Sequence, residues 1–168
     1  MVAFSCTRAP WPGTSGGLTV AQASVVAARP VQAPAPKPDE DSAALPGVRA
    51  AGLPFPYWHD AFGYRAVGVR YDDLGDQSAT TVFYDRGGSR IAYTILTGSP
   101  VPAGQATQTT VRDGVLLRSL DAHGRAVVTW VRAGHTCVLT GDRAALNTML
   151  RLASWRHGGE LPYGSAGA

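Results

Sequence analysis

Four dipeptides constrain this chain more than any other feature: Gly87-Gly88, Asp113-Gly114, His123-Gly124 and Ala133-Gly134. Each separates short segments in which apolar and polar residues alternate or β-branched residues cluster. A tight two-residue turn needs positive φ at its centre, which glycine adopts without steric cost, and it joins antiparallel neighbours. Parallel strands need a crossover of a dozen residues or more, and this spacing leaves no room for one. The chain is therefore expected to fold as successive hairpins. The predicted strands cover 65–71, 80–85, 90–97, 107–112, 115–120, 125–132 and 135–140. Within them Val67, Val69 and Tyr71 share one face, as do Ile91, Tyr93 and Ile95, and Val128 and Trp130.

Two helices flank these strands. Pro56 opens a short helix running to about Phe62 and stopped by Gly63. After Asp142, read as an N-cap, Leu146, Met149, Leu150 and Ala153 recur at i, i+3, i+4 and i+7, which places them on one apolar helical face. The expected fold class is α+β: an antiparallel β-meander of six to seven strands covered by a C-terminal helix, with a disordered N-terminal tail. Nine of the twelve prolines precede residue 57. The run 29–38 reads as polyproline-II linker and Asp39-Glu40-Asp41 as a solvated acidic cluster, because proline lacks the amide donor that helix and sheet need. The expected organisation is a Pro/Ala-rich disordered tail or linker over 1–52, a sheet-plus-helix domain over 53–157 and a frayed end over 158–168.

Composition narrows the function classes. Apolar residues make up 45% and charged residues 16%, so part of the chain must fold. The net charge of +3 comes with no basic run and no aromatic-basic stripe, which argues against nucleic-acid binding. No stretch approaches the ~20 apolar residues of a membrane helix. Residues 18–28 are broken by Gln22 and Ser24, and no basic residue stands in 1–5, so a working signal peptide is not expected. Two cysteines, Cys6 and Cys137, are too few for a disulfide scaffold or a cysteine-rich zinc site.

Each group that could carry chemistry also has a structural reading. On a strand Cys137 and His135 share a face, the arrangement of a nucleophile and its base; followed by Val138 and Leu139, Cys137 reads as a packed, unreactive thiol. His59, His123, His135 and His157 show no metal-ligand spacing. Asp72, Asp73 and Asp76 crowd one turn, where carboxylates cap their own backbone, and the ligand count of a calcium loop is absent. Ser78 and Ser119 lie in no nucleophile elbow, and Gly87-Gly88 opens no helix and so makes no phosphate loop. Trp58, Trp130 and Trp155 form a candidate ligand cleft, with sealing of the core as the competing role. No catalytic residue, cofactor or metal is expected.

The succession Thr81-Val82-Phe83-Tyr84, Gly87-Gly88, Ile91-Ala92-Tyr93-Thr94-Ile95, the run 128–141 and Leu150-Arg151-Leu152-Ala153-Ser154-Trp155 resembles the C-terminal extracytoplasmic region of actinobacterial membrane-anchored anti-sigma factors. The resemblance covers about residues 54–156. It implies a plan in which a cytoplasmic zinc-binding domain holds a sigma factor, one helix spans the membrane, a Pro/Ala-rich linker follows and an outer domain ends the chain. This sequence contains neither the H-x-x-x-C-x-x-C motif nor a spanning segment. The implied role is thus a non-enzymatic sensory or interaction domain in transcription regulation and signal transduction, linked to a sigma factor only through an upstream domain. Its implied location is the outer side of the cell membrane if a span precedes it, and the cytoplasm otherwise. The alternative is a stand-alone small-ligand- or protein-binding β domain.

Overall fold

The computed structural model describes residues 17–38, 43–106 and 108–155. The expectations for residues 1–16 (with Cys6), for Asp39-Glu40-Asp41 and for 156–168 (with His157) lie outside the described residues. The elements in chain order are α1 (Val20–Ser24), β1 (Ala44–Ala50), β2 (Leu53–Pro56), α2 (His59–Phe62), β3 (Arg65–Asp73), β4 (Ser78–Arg86), β5 (Ser89–Leu96), β6 (Gln108–Arg112), β7 (Val115–Ala122), β8 (Arg125–Arg132), β9 (His135–Gly141) and α3 (Leu146–Ala153). Single 3₁₀ turns, Val25–Ala28 and Arg143–Ala145, extend α1 and lead into α3.

The fold is α+β. Seven strands form one antiparallel sheet in the order β3-β4-β5-β9-β8-β7-β6, and β1 and β2 form a separate hairpin. The turns explain the hairpins. Both central residues have positive φ at Gly87-Gly88, Asp113-Gly114, His123-Gly124 and Ala133-Gly134, and at Ala51-Gly52 in β1–β2. This is the backbone whose twist matches that of paired strands. The meander comes in two runs, β3–β5 and β6–β9. The second run lies reversed against the first, so β5 pairs with β9 through Ala92↔Thr140 and Ile95↔Cys137.

Side chains alternate between two faces. The first face carries Val82, Tyr84, Ile91, Tyr93, Ile95, Val128, Trp130, Cys137 and Leu139, all buried, together with Phe55, Trp58 and Met149. The β1–β2 hairpin, α2 and α3 cover it. In α3 the buried residues are Met149, Leu152 and Ala153, with Leu146 and Leu150 partly buried, so the helix is turned slightly from the expected face. Asp142 precedes the 3₁₀ turn but its side chain makes no capping bond. On the second face lie Phe83, Ala92, Leu96, Leu120, Val127 and Val138, together with the buried threonines 81, 94, 129, 136 and 140.

The second face corrects the reading of residues 17–38 as part of a disordered tail. Val20, Ala23, Val26 and Ala27 are buried against it, with α1 over β8 and β9 and the following turn over β4 and β5. The chain then reaches β3, where Ala33 exchanges backbone hydrogen bonds with Val69. Proline bars this segment from a ladder of its own but not from lying across someone else's. The boundary at 52/53 also falls inside the β1–β2 turn. Pro46, Pro54 and Pro56 are tolerated there because a two-stranded ribbon is all edge. The expected common face of Val67, Val69 and Tyr71 is likewise not uniform: Val69 is buried, whereas Val67 and Tyr71 are exposed. A bulge between Ala66 and Gly68 shifts the phase, and β3 is an edge strand that its cover only partly reaches.

Candidate functional site

The three tryptophans do not open a cleft. Trp58, entering from the β2–α2 connection, is stacked on Tyr93 with ring centroids 5.7 Å apart and lies 4.7 Å from Tyr84. Trp130, on β8, reaches Tyr93 from the side at 5.3 Å. Phe55 meets the same ring edge-on at 5.2 Å. Trp58 and Trp130 are 1% and 7% exposed, which leaves no ring face for a ligand. Trp155 is separate from them, half-buried and edge-on to Phe62 at 5.9 Å. These rings form the centre of the core, where large flat side chains bury the most area.

The thiol sits under this aromatic layer. Cys137 is fully buried and unpaired, and Tyr93 Oη donates to its Sγ at 3.4 Å. Arg132 Nη1 donates in turn to Tyr93 Oη at 3.0 Å, and Arg132 Nη2 to the Pro54 carbonyl at 3.0 Å, which fastens β2 to the sheet. Burial pushes the Cys137 thiol up to about 11, against the smaller opposing effects of the Tyr93 hydrogen bond and the Arg132 charge. The Cys137–His135 pair is thus not an activated nucleophile: the thiol is desolvated and its hydrogen-bond donor is a phenol.

The acidic turn is divided by the structure. Asp72, whose side chain is 4% exposed, accepts from Arg29 Nη1 at 2.6 Å and from Arg70 Nε at 2.8 Å. Arg70 Nη1 also donates to the Pro30 carbonyl at 2.7 Å. Asp72 is therefore the clasp that holds the N-terminal segment 17–38, the strap, on β3, while Asp73 and Asp76 are exposed. Among the described residues no group of three or more His, Cys, Asp or Glu side chains is placed to hold a metal ion.

A ligand-sized space lies elsewhere. A cavity of about 330 Å³ is lined by Pro36, Pro38, Leu45, Tyr57, His59, Arg65 and Ala66. The strap, β1, the segment entering α2 and the first residues of β3 each supply a wall. Its lining is mostly apolar, and its polar side chains, Tyr57, His59 and Arg65, are linked to one another by hydrogen bonds. Arg65 Nε donates to His59 Nε2 at 2.9 Å, which places the imidazole proton on Nδ1 when the ring is neutral. That nitrogen is 3.3 Å from Tyr57 Oη, and Tyr57 Oη donates to Asp60 Oδ1 at 3.3 Å. Arg65 forms no ion pair among the described residues. Such a space suits an apolar body with a hydrogen-bonding or anionic head, since pockets of this size orient ligands through a few convergent polar groups. The sequence signal was slight: His59 and Asp60 follow an aromatic cluster, and Arg65 looks like one of many scattered arginines.

No family model, no curated protein and no solved structure matches the chain. No helix among the described residues is long and apolar enough to cross a membrane.

Proposed function

We propose that this chain is a non-enzymatic extracytoplasmic sensory or interaction domain of an anti-sigma-factor-like regulator of transcription. The observation that carries the proposal is the placement of the segments bearing the resemblance. Residues 81–84 lie in β4, 91–95 in β5, 128–132 in β8 and 135–141 in β9, four strands that are neighbours in the sheet. Residues 150–153 lie in α3, which packs on β8 and β9. The segments thus make one packed unit instead of scattered coincidences. A non-enzymatic role accords with a thiol held protonated under an aromatic layer and with an acidic turn whose buried carboxylate ties down the chain. The sigma-factor link would run through a domain upstream of this one.

The test is purification of the native protein from its own cells through an affinity tag at the C-terminus. Recovery of a longer, membrane-extracted chain together with a sigma factor, with residues 53–155 cleaved by protease added to cells with a permeabilised outer envelope but an intact inner membrane, is the expected result. A chain that begins at Met1, stays in the soluble fraction and brings down no sigma factor overturns the reading. The cavity beside Tyr57, His59 and Arg65 favours a second reading, a stand-alone small-ligand-binding domain. For that reading, aromatic carboxylates should raise the Tm of the wild type and fail to raise that of Arg65→Ala.

A further inference from the structure

The two edges of the seven-stranded sheet end differently. The outer side of β3 is occupied by the chain itself: Ala33 N–H donates to the Val69 carbonyl at 3.1 Å, Val69 N–H to the Ala33 carbonyl at 2.8 Å, and Tyr71 N–H to Gln32 Oε1 at 2.8 Å. At the opposite edge β6 pairs with β7 alone, and among the described residues no backbone hydrogen bond reaches it from outside. Proteins guard such edges with proline, lysine, bulges or a covering segment. Gln108–Arg112 has no proline, no lysine and an unbroken register.

The surface beside this edge is apolar where a polar one would be ordinary. Val111 is 67% exposed and stands opposite Leu116, which is 46% exposed. Val131, 53% exposed, lies on the same face, since Thr129 pairs with Arg118 and each strand alternates with a period of two. Three apolar side chains on β6, β7 and β8 therefore share a strip on the second face of the sheet. Arg118 faces Thr109 across the β6–β7 pair, and its long side chain can extend over that small residue toward the open edge. Neither Arg118 nor Arg112 forms an ion pair among the described residues.

We propose that β6 is a strand-addition site for an extended segment of a partner protein, with an apolar residue opposite Val111 and an acidic residue two positions away opposite Thr109. Backbone hydrogen bonds to β6 would supply affinity, and alternate side chains would supply selectivity. The apolar residue lies on the Val111–Leu116–Val131 strip, the carboxylate meets Arg118, and an acidic residue opposite Arg112 points to the other face. The size of the edge decides between occupants. Five residues accommodate one peptide strand, whereas a second copy paired along the same edge would cover only a fraction of the ~1,200 Å² that a stable dimer needs. The charge agrees, because a second copy would bring more arginine and no carboxylate to the five-residue edge. The inference goes beyond the regulator reading and does not rest on it.

The test is amide hydrogen exchange on the full chain titrated with the blocked peptide acetyl-Thr-Glu-Val-Thr-Glu-Thr-amide. Slowed exchange at alternate amides of Gln108–Arg112 is expected, with β3 unchanged. Val111→Lys and Arg118→Glu alter exposed side chains and should leave Tm unchanged, yet each should weaken binding by about tenfold or more, as loss of an interface anchor or reversal of a complementary charge does. A peptide with lysine in place of both glutamates should bind Arg118→Glu better than the wild type. No protection of β6 at any peptide concentration up to the low millimolar range would overturn the proposal. So would equal protection by the glutamate and lysine peptides, or protection of β6 by self-association of the chain without peptide.

Discussion

The two faces of the sheet do different jobs with different residues. The first is aromatic: Tyr84, Tyr93 and Trp130 project from the strands, and Phe55 and Trp58 come down on them. The second is aliphatic and hydroxylic, built of alanine, valine, leucine and threonine with Phe83 as its aromatic residue, and five of its buried side chains are threonines. A thick aromatic layer leaves space that only bulky elements fill, and β1–β2, α2 and α3 fill it. A face of small side chains lets an irregular strap lie close to the strands, and Gly68 shows how close: a Cβ there would overlap the methyl groups of Val31.

If the aromatic face carries most of the stability, truncating it should have the largest effect. Trp130→Ala is expected to cost about 3–5 kcal/mol in urea unfolding, the range for a buried large aromatic. A loss under ~1 kcal/mol would mean that Trp130 is not a core residue. The thiol beneath the same layer gives a pH signature. Its folded pKa, about 11, exceeds the ordinary 9.0. The folded state therefore keeps its proton where the unfolded chain has lost it. This contribution is fully present below pH 9.0 and is lost as pH rises toward about 11. The loss should total about 2–3 kcal/mol by linkage and be absent in Cys137→Ala. Native Cys137 should also resist alkylation near pH 7, and rapid labelling would contradict its burial.

On the threonine face, Thr81 and Thr94 hydroxyls share a buried hydrogen bond of 2.8 Å. Thr81→Val should cost about 1–2 kcal/mol by leaving Thr94 without its partner, and adding Thr94→Val should restore most of it, since removing both partners is far cheaper than removing one. A double mutant that loses more than the single would show that the Thr94 hydroxyl is satisfied without Thr81. The smallest global effect is expected from Asp72→Asn, about 1 kcal/mol, because Arg29 and Arg70 keep access to water once unpaired. Its readout is local: the amides of Gln32 and Ala33, which donate to the Val69 carbonyl, should exchange faster, with the amides of β4 and β5 unchanged. Equal acceleration at both places would mean that the strap and the sheet open together.

The hairpins were legible in the sequence because their cause is local: a turn that needs positive φ at 87–88 or 133–134 declares itself in two residues. The strap was not, because proline density says what residues 29–38 cannot form and nothing about what they lie on. Its anchors, Asp72 and Arg70, stand about forty residues further along the chain. The β5–β9 pairing was missed for the same reason, since each turn predicts only its own hairpin. Trp130 was legible as core from the alternation of its strand, and Cys137 from the apolar residues that follow it. Arg132, which bonds both Tyr93 and Pro54, was one arginine among fourteen until the fold brought its partners together.

The β5–β9 seam also sets an order of events. Each run of hairpins closes over short loops, but joining Ala92 to Thr140 spans the whole second run and must carry a larger closure entropy. The strap rests on both sides of that seam, with α1 over β8 and β9 and the turn after it over β4 and β5. Its complete seat does not exist until Gly141 has been made and paired. During synthesis the strap therefore leaves the ribosome long before its surface is assembled, and the segment translated ahead of the sheet is among the last to settle on it.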